Sequence, residues 1–280
     1  MKLNPPAEVA GAFPKRLVDA NKRSVGTVAV VGGSVRYAHA PVIAGLGARA
    51  AGAGLVQLVV PGASRIAAGA LLPEATFSRL VTAIVPPKAD VTVVGMGLGV
   101  SEFSEIVVSR LLAGQAGRLV VDADALSVLA LLRGRTGVFG LTNGAELVLT
   151  PHEGEAARLL DCDVERVHAN RLAAARGIAS RYGATVVLKG HGTIVVSSDG
   201  SKVYRNRTGN PFMALGGMGD LLAGVVGARW ARLGGDPFLA AASSVWLHGA
   251  ASDSLVEDAL DTSLVRTAER IGSFRVMLER

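Results

Sequence analysis

Short runs of β-branched and aliphatic residues recur along this chain, each closed by glycine or a polar turn, with Ala/Leu-rich stretches of helical spacing between them. Seven runs read as strands: 27–31, 55–60, 91–94, 119–122, 146–150, 185–189 and 193–197. Their apolar character is largely continuous instead of strictly alternating with polar residues, which is the pattern of strands covered on both faces in a mainly parallel sheet. Helices are predicted over 40–51, 101–112, 125–132, 153–160, 169–182, 220–233 and 237–255. Strand and helix alternate, so the pattern predicts an α/β fold with helices on both faces of a central sheet. No Pro/Ser-rich or charged linker interrupts residues 1–280, and one domain is expected. In such a sheet ligands sit beyond the carboxyl ends of the strands, where the unusual residues of this chain fall.

Composition narrows the picture. Half of the residues are hydrophobic and only 4% aromatic, so the core must be built from Ala, Val and Leu. The net charge of +6 would suit a nucleic-acid partner, but the basic residues are scattered and no Lys/Arg run is interleaved with aromatics. Neither nucleic acid nor membrane is an expected partner: the longest apolar stretch, 41–60, is broken by Arg49 and four glycines. Residues 1–16 lack the layout of a signal peptide. The single cysteine, Cys162, allows no internal disulfide and no Cys-based metal cluster, and fits a reducing cytoplasm.

The most informative stretch is 206–220, Asn-Arg-Thr-Gly-Asn-Pro-Phe-Met-Ala-Leu-Gly-Gly-Met-Gly-Asp. Gly216, Gly217 and Gly219 allow left-handed backbone and close approach of N–H groups to a ligand. The apolar helix predicted next would turn its positive dipole end toward them, which favours an anion. Asp220 beside such an anion hole would repel a phosphate, unless it takes a proton from a hydroxyl that attacks it. The alternative is an ordinary Asp N-cap.

Other loops carry weaker signals. Gly32-Gly33-Ser34 and Gly95-Met-Gly-Leu-Gly99 each end a strand, and neither has the spacing of a Walker A or dinucleotide fingerprint. Asp122 and Asp124, two residues apart after a strand, could orient a hydroxyl or hold a cation through water, or Asp124 could cap the next helix. In Thr150-Pro151-His152-Glu153-Gly154-Glu155, Pro151 stops a strand and places His152 at a helix entrance with Glu155 on its first turn. That pair suits substrate and magnesium-water binding, or a purely structural use of the helix dipole. Lys189, Gly190, His191, Gly192 and Thr193 form a short turn between two strands whose N–H groups could bind a nucleotide phosphate or ribose.

In their order and spacing these segments resemble the ADP- or ATP-dependent NAD(P)H-hydrate dehydratases of the ribokinase-like superfamily. The resemblance runs almost end to end, from Asn21-Lys22 and Gly32-Gly33-Ser34 through 51–56, 95–99, 122–126, 149–155 and 187–193 to Thr208-Gly-Asn-Pro211 and 216–220. It implies dehydration of cofactor hydrated at ring carbon 6, driven by ADP or ATP with Mg2+. Asp220 would be the base. Ala40, Gly97 and His152 would contact the hydrated cofactor, and Lys189, Gly190, His191, Gly192 and Thr193 the adenine nucleotide, with Asn210. The N–H groups of Gly217, Met218 and Gly219 would hold the phosphate, and Glu155 would help place magnesium through water. The resemblance also implies a separate epimerase as pathway partner and a homo-oligomer such as a tetramer. The chain departs from the family at Phe212 (usually Gly), Leu215 (Thr), Met218 (Ser or Thr), His39 (Gly) and Met96 (Pro). The lost hydroxyls at Leu215 and Met218 predict weak nucleotide affinity. Two other readings stay open on the residues: a vitamin-precursor kinase of the same superfamily, and a nucleotide-binding protein without catalysis.

Overall fold

The computed structural model describes residues 3–81, 88–115, 117–136 and 144–280. In chain order the elements are α1 (Ala7–Ala10), β1 (Thr27–Val31), α2 (Ala40–Ala50), β2 (Leu55–Val60), α3 (Gly62–Leu71), β3 (Thr76–Arg79), β4 (Val91–Val94) and α4 (Glu102–Arg110). Then follow β5 (Arg118–Val121), α5 (Asp124–Thr136), β6 (Glu146–Leu149), α6 (Glu153–Leu160), α7 (Val164–Ala169), α8 (Arg171–Tyr182), β7 (Thr185–Leu188) and β8 (Ile194–Val196). The chain closes with β9 (Val203–Arg205), α9 (Met218–Leu233), α10 (Pro237–Glu257) and α11 (Leu264–Leu278). The strands form one sheet in the order β3-β2-β1-β4-β5-β6-β7-β8-β9. Every pair from β3 to β7 is parallel, and β7, β8 and β9 pair antiparallel.

The unbroken apolar strands are buried on both faces, as expected. Val28, Val30, Val91, Val93, Val120, Val148 and Val187 face a core closed by α2, α9, α10 and α11. Their neighbours Val31, Val94, Leu119, Val121, Leu149 and Leu188 face a second core closed by α4, α5, α6 and α8. Alternate residues of one strand thus serve opposite layers. Where α2 and α9 cross, a side chain at Gly47 or Gly224 would collide with the Leu221 or Ala44 carbonyl. This close packing fixes the start of α9 against the sheet.

Each predicted strand is present, with ends that differ by a residue or two. The helix predicted over 169–182 breaks at Asn170, whose side chain accepts from Ala173 N–H and caps α8. The helix predicted over 101–112 ends as α4 at Arg110, and the wider turn that follows leaves helical geometry at Ala113 and Gly114. β3, β9, α1, α3, α7 and α11 were outside the expected set. β3 is a mostly exposed edge strand of sequence Thr-Phe-Ser-Arg, too polar to read as a strand.

Candidate active site

The loops at the carboxyl ends of β4 to β7 meet the N-terminus of α9. α9 begins at Met218, with Gly217 as its N-cap at φ +94°. Of the three glycines 216, 217 and 219, only Gly217 uses left-handed backbone. Asp220 is therefore the third helical residue, and the N-cap reading fails because Gly217 holds that position with no side-chain cap. The Asp220 carboxyl lies free of that role among charged neighbours. Burial, then the carboxylates of Asp122, Asp124 and Glu155, push its pKa up to about 7 against the pull of Lys189.

Lys189 is the cation of this cluster. Its Nζ donates to Asp122 Oδ1 at 2.6 Å and lies 3.8 Å from Glu155 Oε2. Burial alone would lower its pKa, but the carboxylates of Asp122, Glu155 and Asp220 outweigh it and raise the pKa, so the amine stays charged. A Cβ at Gly219 would stand 3.4 Å from this amine, which therefore faces the open N-terminus of α9. Asp122 is 1% exposed and also accepts from Thr150 Oγ1 at 2.8 Å. Between Asp122 and Asp124, Ala123 sits at φ +51°, an unusual backbone for a residue with a side chain. Asp124 accepts from Gly99 N–H at 2.8 Å, tying the 95–99 turn to the start of α5.

The two groups of candidate residues fall in neighbouring places. Lys189, Gly190, His191, Gly192, Thr193, Asn210, Met218 and Gly219 line one cleft of about 540 Å3. Ala40 opens α2 beside Gly97, where an added Cβ would meet Tyr37 and Ala40. His152 and Glu155 stand at the start of α6. Neither Ala40, Gly97 and His152 nor Gly217 and Asp220 line the cleft; Lys189, which does, is paired with Asp122 and faces Glu155. Leu215 and Phe212 turn outward, 48% and 65% exposed, whereas the Met218 side chain is buried in the core. Met218 is thus a packed residue of the core.

His152 has a structural role as well. Its Nδ1 accepts from the N–H groups of Gly154 and Glu155, and Glu155 Oε2 accepts from His152 N–H at 2.8 Å, a reciprocal cap. Acceptance at Nδ1 puts the proton on Nε2, 3.4 Å from Glu155 Oε1. His152→Asn keeps a capping side chain without the imidazole. It should raise KM for the hydrated cofactor that the resemblance implies several-fold with little loss of thermal stability, while His152→Ala should also lose about 1 kcal/mol of stability. Unchanged KM in His152→Asn, by steady-state kinetics beside thermal melts, would leave the histidine only its cap.

Asp253 and Gly249 were not among the expected site residues, and Thr208 and His248 were given no role there. Asp253 on α10 accepts from Gly209 N–H at 2.8 Å and from Asn210 Nδ2 at 2.9 Å, pinning one wall of the cleft. Thr208 Oγ1 donates to the Trp246 carbonyl at 3.0 Å, and Gly249 admits Thr208 because it has no side chain. His248 lines the cleft from α10, and burial lowers its pKa to about 4, so it is neutral there. The spacing of Gly249 and Asp253, one helical turn apart on a buried helix, was the available signal. A second crevice between α6, α7 and α8, lined by Cys162, Arg166 and Arg181, contains none of these groups.

With this geometry in view, comparison with known proteins is decisive. The sequence profile of the NAD(P)H-hydrate dehydratase family matches residues 28–271. The chain belongs to the NAD(P)H-hydrate dehydratase family. It is 40% identical over 254 residues to the ADP-dependent (S)-NAD(P)H-hydrate dehydratase of Neisseria meningitidis serogroup B, covering 88% of this chain and 83% of that one. It is 39% identical to a bifunctional NAD(P)H-hydrate repair enzyme of Gloeobacter violaceus, covering 90% of this chain but only 50% of that one. The chain thus spans about half the length of its bifunctional relatives. Among solved structures, the ADP/ATP-dependent NAD(P)H-hydrate dehydratase of Bacillus subtilis, co-crystallised with ATP and Mg2+, matches with a TM-score of 0.84 at 27% identity, over 97% of this chain and 96% of that one. A ribokinase-like superfamily protein of Enterococcus faecalis matches with a TM-score of 0.85 at 26% identity, over 98% of this chain and 95% of that one, and the fold of this family member is accordingly ribokinase-like.

Proposed function

We propose that this chain is one domain that dehydrates hydrated NADH or NADPH at the expense of ADP or ATP, with Asp220 as the catalytic base. The observation that carries the reading is the Asp220 carboxyl at the mouth of α9: half-buried among carboxylates, not used as a cap, and with its pKa pushed up to about 7. A base with a pKa near the working pH combines availability with proton affinity. The nucleotide lies in the cleft of residues 189–193, its terminal phosphate against the N–H groups of Gly217 and Gly219 and the Lys189 amine; the Met218 N–H, expected to join them, donates instead to the Leu215 carbonyl at 3.3 Å. The hydrated ring lies on the side of Ala40, Gly97 and His152.

In the reaction Asp220 takes the proton of the ring hydroxyl as its oxygen attacks the terminal phosphorus. The bond from phosphorus to the nucleotide oxygen breaks, and a shortened nucleotide leaves. The carbon–oxygen bond of the ring ester then breaks with its electrons on the phosphate, a proton leaves the adjacent carbon, and the ring double bond is restored. Lys189 and the glycine N–H groups hold the charge that gathers on the transferred phosphate. Among the described residues no three His, Cys, Asp or Glu side chains form a metal cage. The carboxylates of Asp122, Asp124 and Glu155 around Asp220 do suit an ion held by nucleotide phosphates and water, Glu155 facing it through water. When bound, Mg2+ supplies neutralising charge to the phosphates.

Incubation with hydrated NADH and ADP, followed by the near-ultraviolet absorbance of the reduced cofactor, tests the reading. Recovery of absorbance with phosphate release supports it; a stable phosphorylated product would instead mark a kinase. A pH profile adds a sharper test. The base must be ionised, so kcat/KM should fall about tenfold per unit as pH drops below about 7 and level off above it. A flat profile from about pH 5 to about pH 8 would remove Asp220 as the base. A separate epimerase, which supplies the reactive epimer, completes the repair. Assembly as a homo-oligomer, a tetramer in this reading, is tested by light scattering. No described helix is long and apolar enough to cross a membrane, and the reading places the chain in the cytoplasm.

A further inference from the structure

The turn over residues 189–193 is held from behind by one side chain. Arg171, at the first position of α8, spreads its guanidinium over four carbonyls of β7 and the turn. Its Nη1 donates to His191 O at 2.5 Å and Gly192 O at 3.3 Å, and its Nη2 donates to Leu188 O at 3.2 Å and Lys189 O at 3.1 Å. Its Nε lies 3.0 Å from Glu153 Oε1, off-line for a hydrogen bond, so the contact is a Coulombic one that ties the guanidinium to the first turn of α6. Two walls of the site, the turn and the start of α6, share this residue.

The peptide plane converts this arrangement into a binding surface. In a trans peptide the carbonyl and the next N–H point in opposite directions. Carbonyls of Lys189, His191 and Gly192 drawn back to Arg171 therefore turn the N–H groups of Gly190, Gly192 and Thr193 the other way. Among the described residues those three N–H groups have no acceptor within the protein, and all three residues line the cleft. Gly190 at φ +139° and Gly192 at φ +64° permit the required backbone. A Cβ at Gly190 would stand 2.8 Å from Arg171 Nη2, so the close approach of guanidinium and turn also depends on that glycine. Successive free N–H groups facing one way form an anion-binding concavity.

We infer that Arg171 is a positioning residue for the nucleotide: by fixing four carbonyls it preforms the N–H surface of residues 189–193 that receives an adenine nucleotide's phosphate or ribose oxygens. The inference rests on the proposed nucleotide cleft. A lysine at 171 keeps the charge beside Glu153 but cannot span four carbonyls in one plane.

Calorimetric titration with ADP, and KM for each substrate, test it in the full chain. Arg171→Lys should weaken ADP binding by about tenfold or more and raise KM for ADP to match, with KM for hydrated NADH within about twofold of wild type. Gly190→Ala, which disturbs the same contact from the other side, should give the same selective loss. ADP affinity of Arg171→Lys within about twofold of wild type, or an equal rise of both KM values, overturns the inference. Loss of the folded state in both variants by thermal melts also overturns it, because the bonds then hold the fold instead of shaping the turn. If wild-type protein binds no ADP, the nucleotide reading itself fails, and this inference with it.

Discussion

Asp220→Asn should lower the dehydration rate by about a hundredfold or more while ADP affinity stays near wild type, because an amide cannot accept the proton of the attacking hydroxyl. The substitution is nearly isosteric, and the Asp220 side chain caps nothing, so α9 should remain intact. The same change should raise thermal stability at pH above about 7. In the unfolded chain Asp220 ionises near 3.8, but in the fold only near 7, because burial and three carboxylates oppose its charge. The protonated carboxyl is therefore favoured by the fold, and that contribution is lost as pH rises through about 7. Asparagine never pays this cost. Below about pH 3.8 both side chains are neutral and the two melting temperatures should converge. A less active, more stable variant at neutral pH would mark Asp220 as a functional group held at the expense of the fold. Turnover within a few-fold of wild type would sink the assignment.

Glu279→Ala should destabilise the protein by about 3–5 kcal/mol, a large share of the stability of an ordinary domain. Glu279 Oε1 accepts from Arg229 Nη1 at 2.7 Å and Oε2 accepts from Arg275 Nη1 at 2.9 Å. Arg229 is fully buried in α9, donates to the Ala12 carbonyl and lies 4.5 Å above the Phe13 ring. Without Glu279 its charge stays inside with no counter-ion, and burial already lowers its pKa. Replacing both partners by apolar residues, Arg229→Met with Glu279→Met, should cost less than the Glu279 change alone. Urea unfolding of the three proteins decides this. A loss below about 1 kcal/mol for Glu279→Ala would mean that water reaches Arg229 and compensates it. Because Arg229 and Asp220 share α9, such a loss should also loosen the helix that carries Asp220.

Much of the site was legible because it depends on local backbone rules. Gly217 is needed for a left-handed N-cap, Pro151 ends β6, and His152 with Glu155 forms a reciprocal cap, and each of these is encoded within a few residues. α11 was also legible and was missed: its buried Thr267, Ala268, Ile271 and Phe274 follow helical spacing. Arg171 was not legible: it acts through backbone carbonyls at least 17 residues away, and nothing in its own neighbourhood marks it. Of Asp253 only the spacing to Gly249 was visible, because its partners Gly209 and Asn210 are far away in sequence.

The chain's own pattern determined the α/β class, the doubly covered sheet, the family and the glycine turn with its acid, since apolar runs, glycines and short motifs act over one or two turns of backbone. Tertiary structure alone decided the surroundings of that acid. A lone Asp in the first turn of a helix is an ordinary stabilising residue. Only when the sheet order sets β5, β6 and β7 side by side do Asp122, Glu155 and Lys189 gather around it. Burial and mutual repulsion are sums over neighbours distant in sequence, and they raise the pKa of that carboxyl to about 7, which suits it to the role of base that we propose.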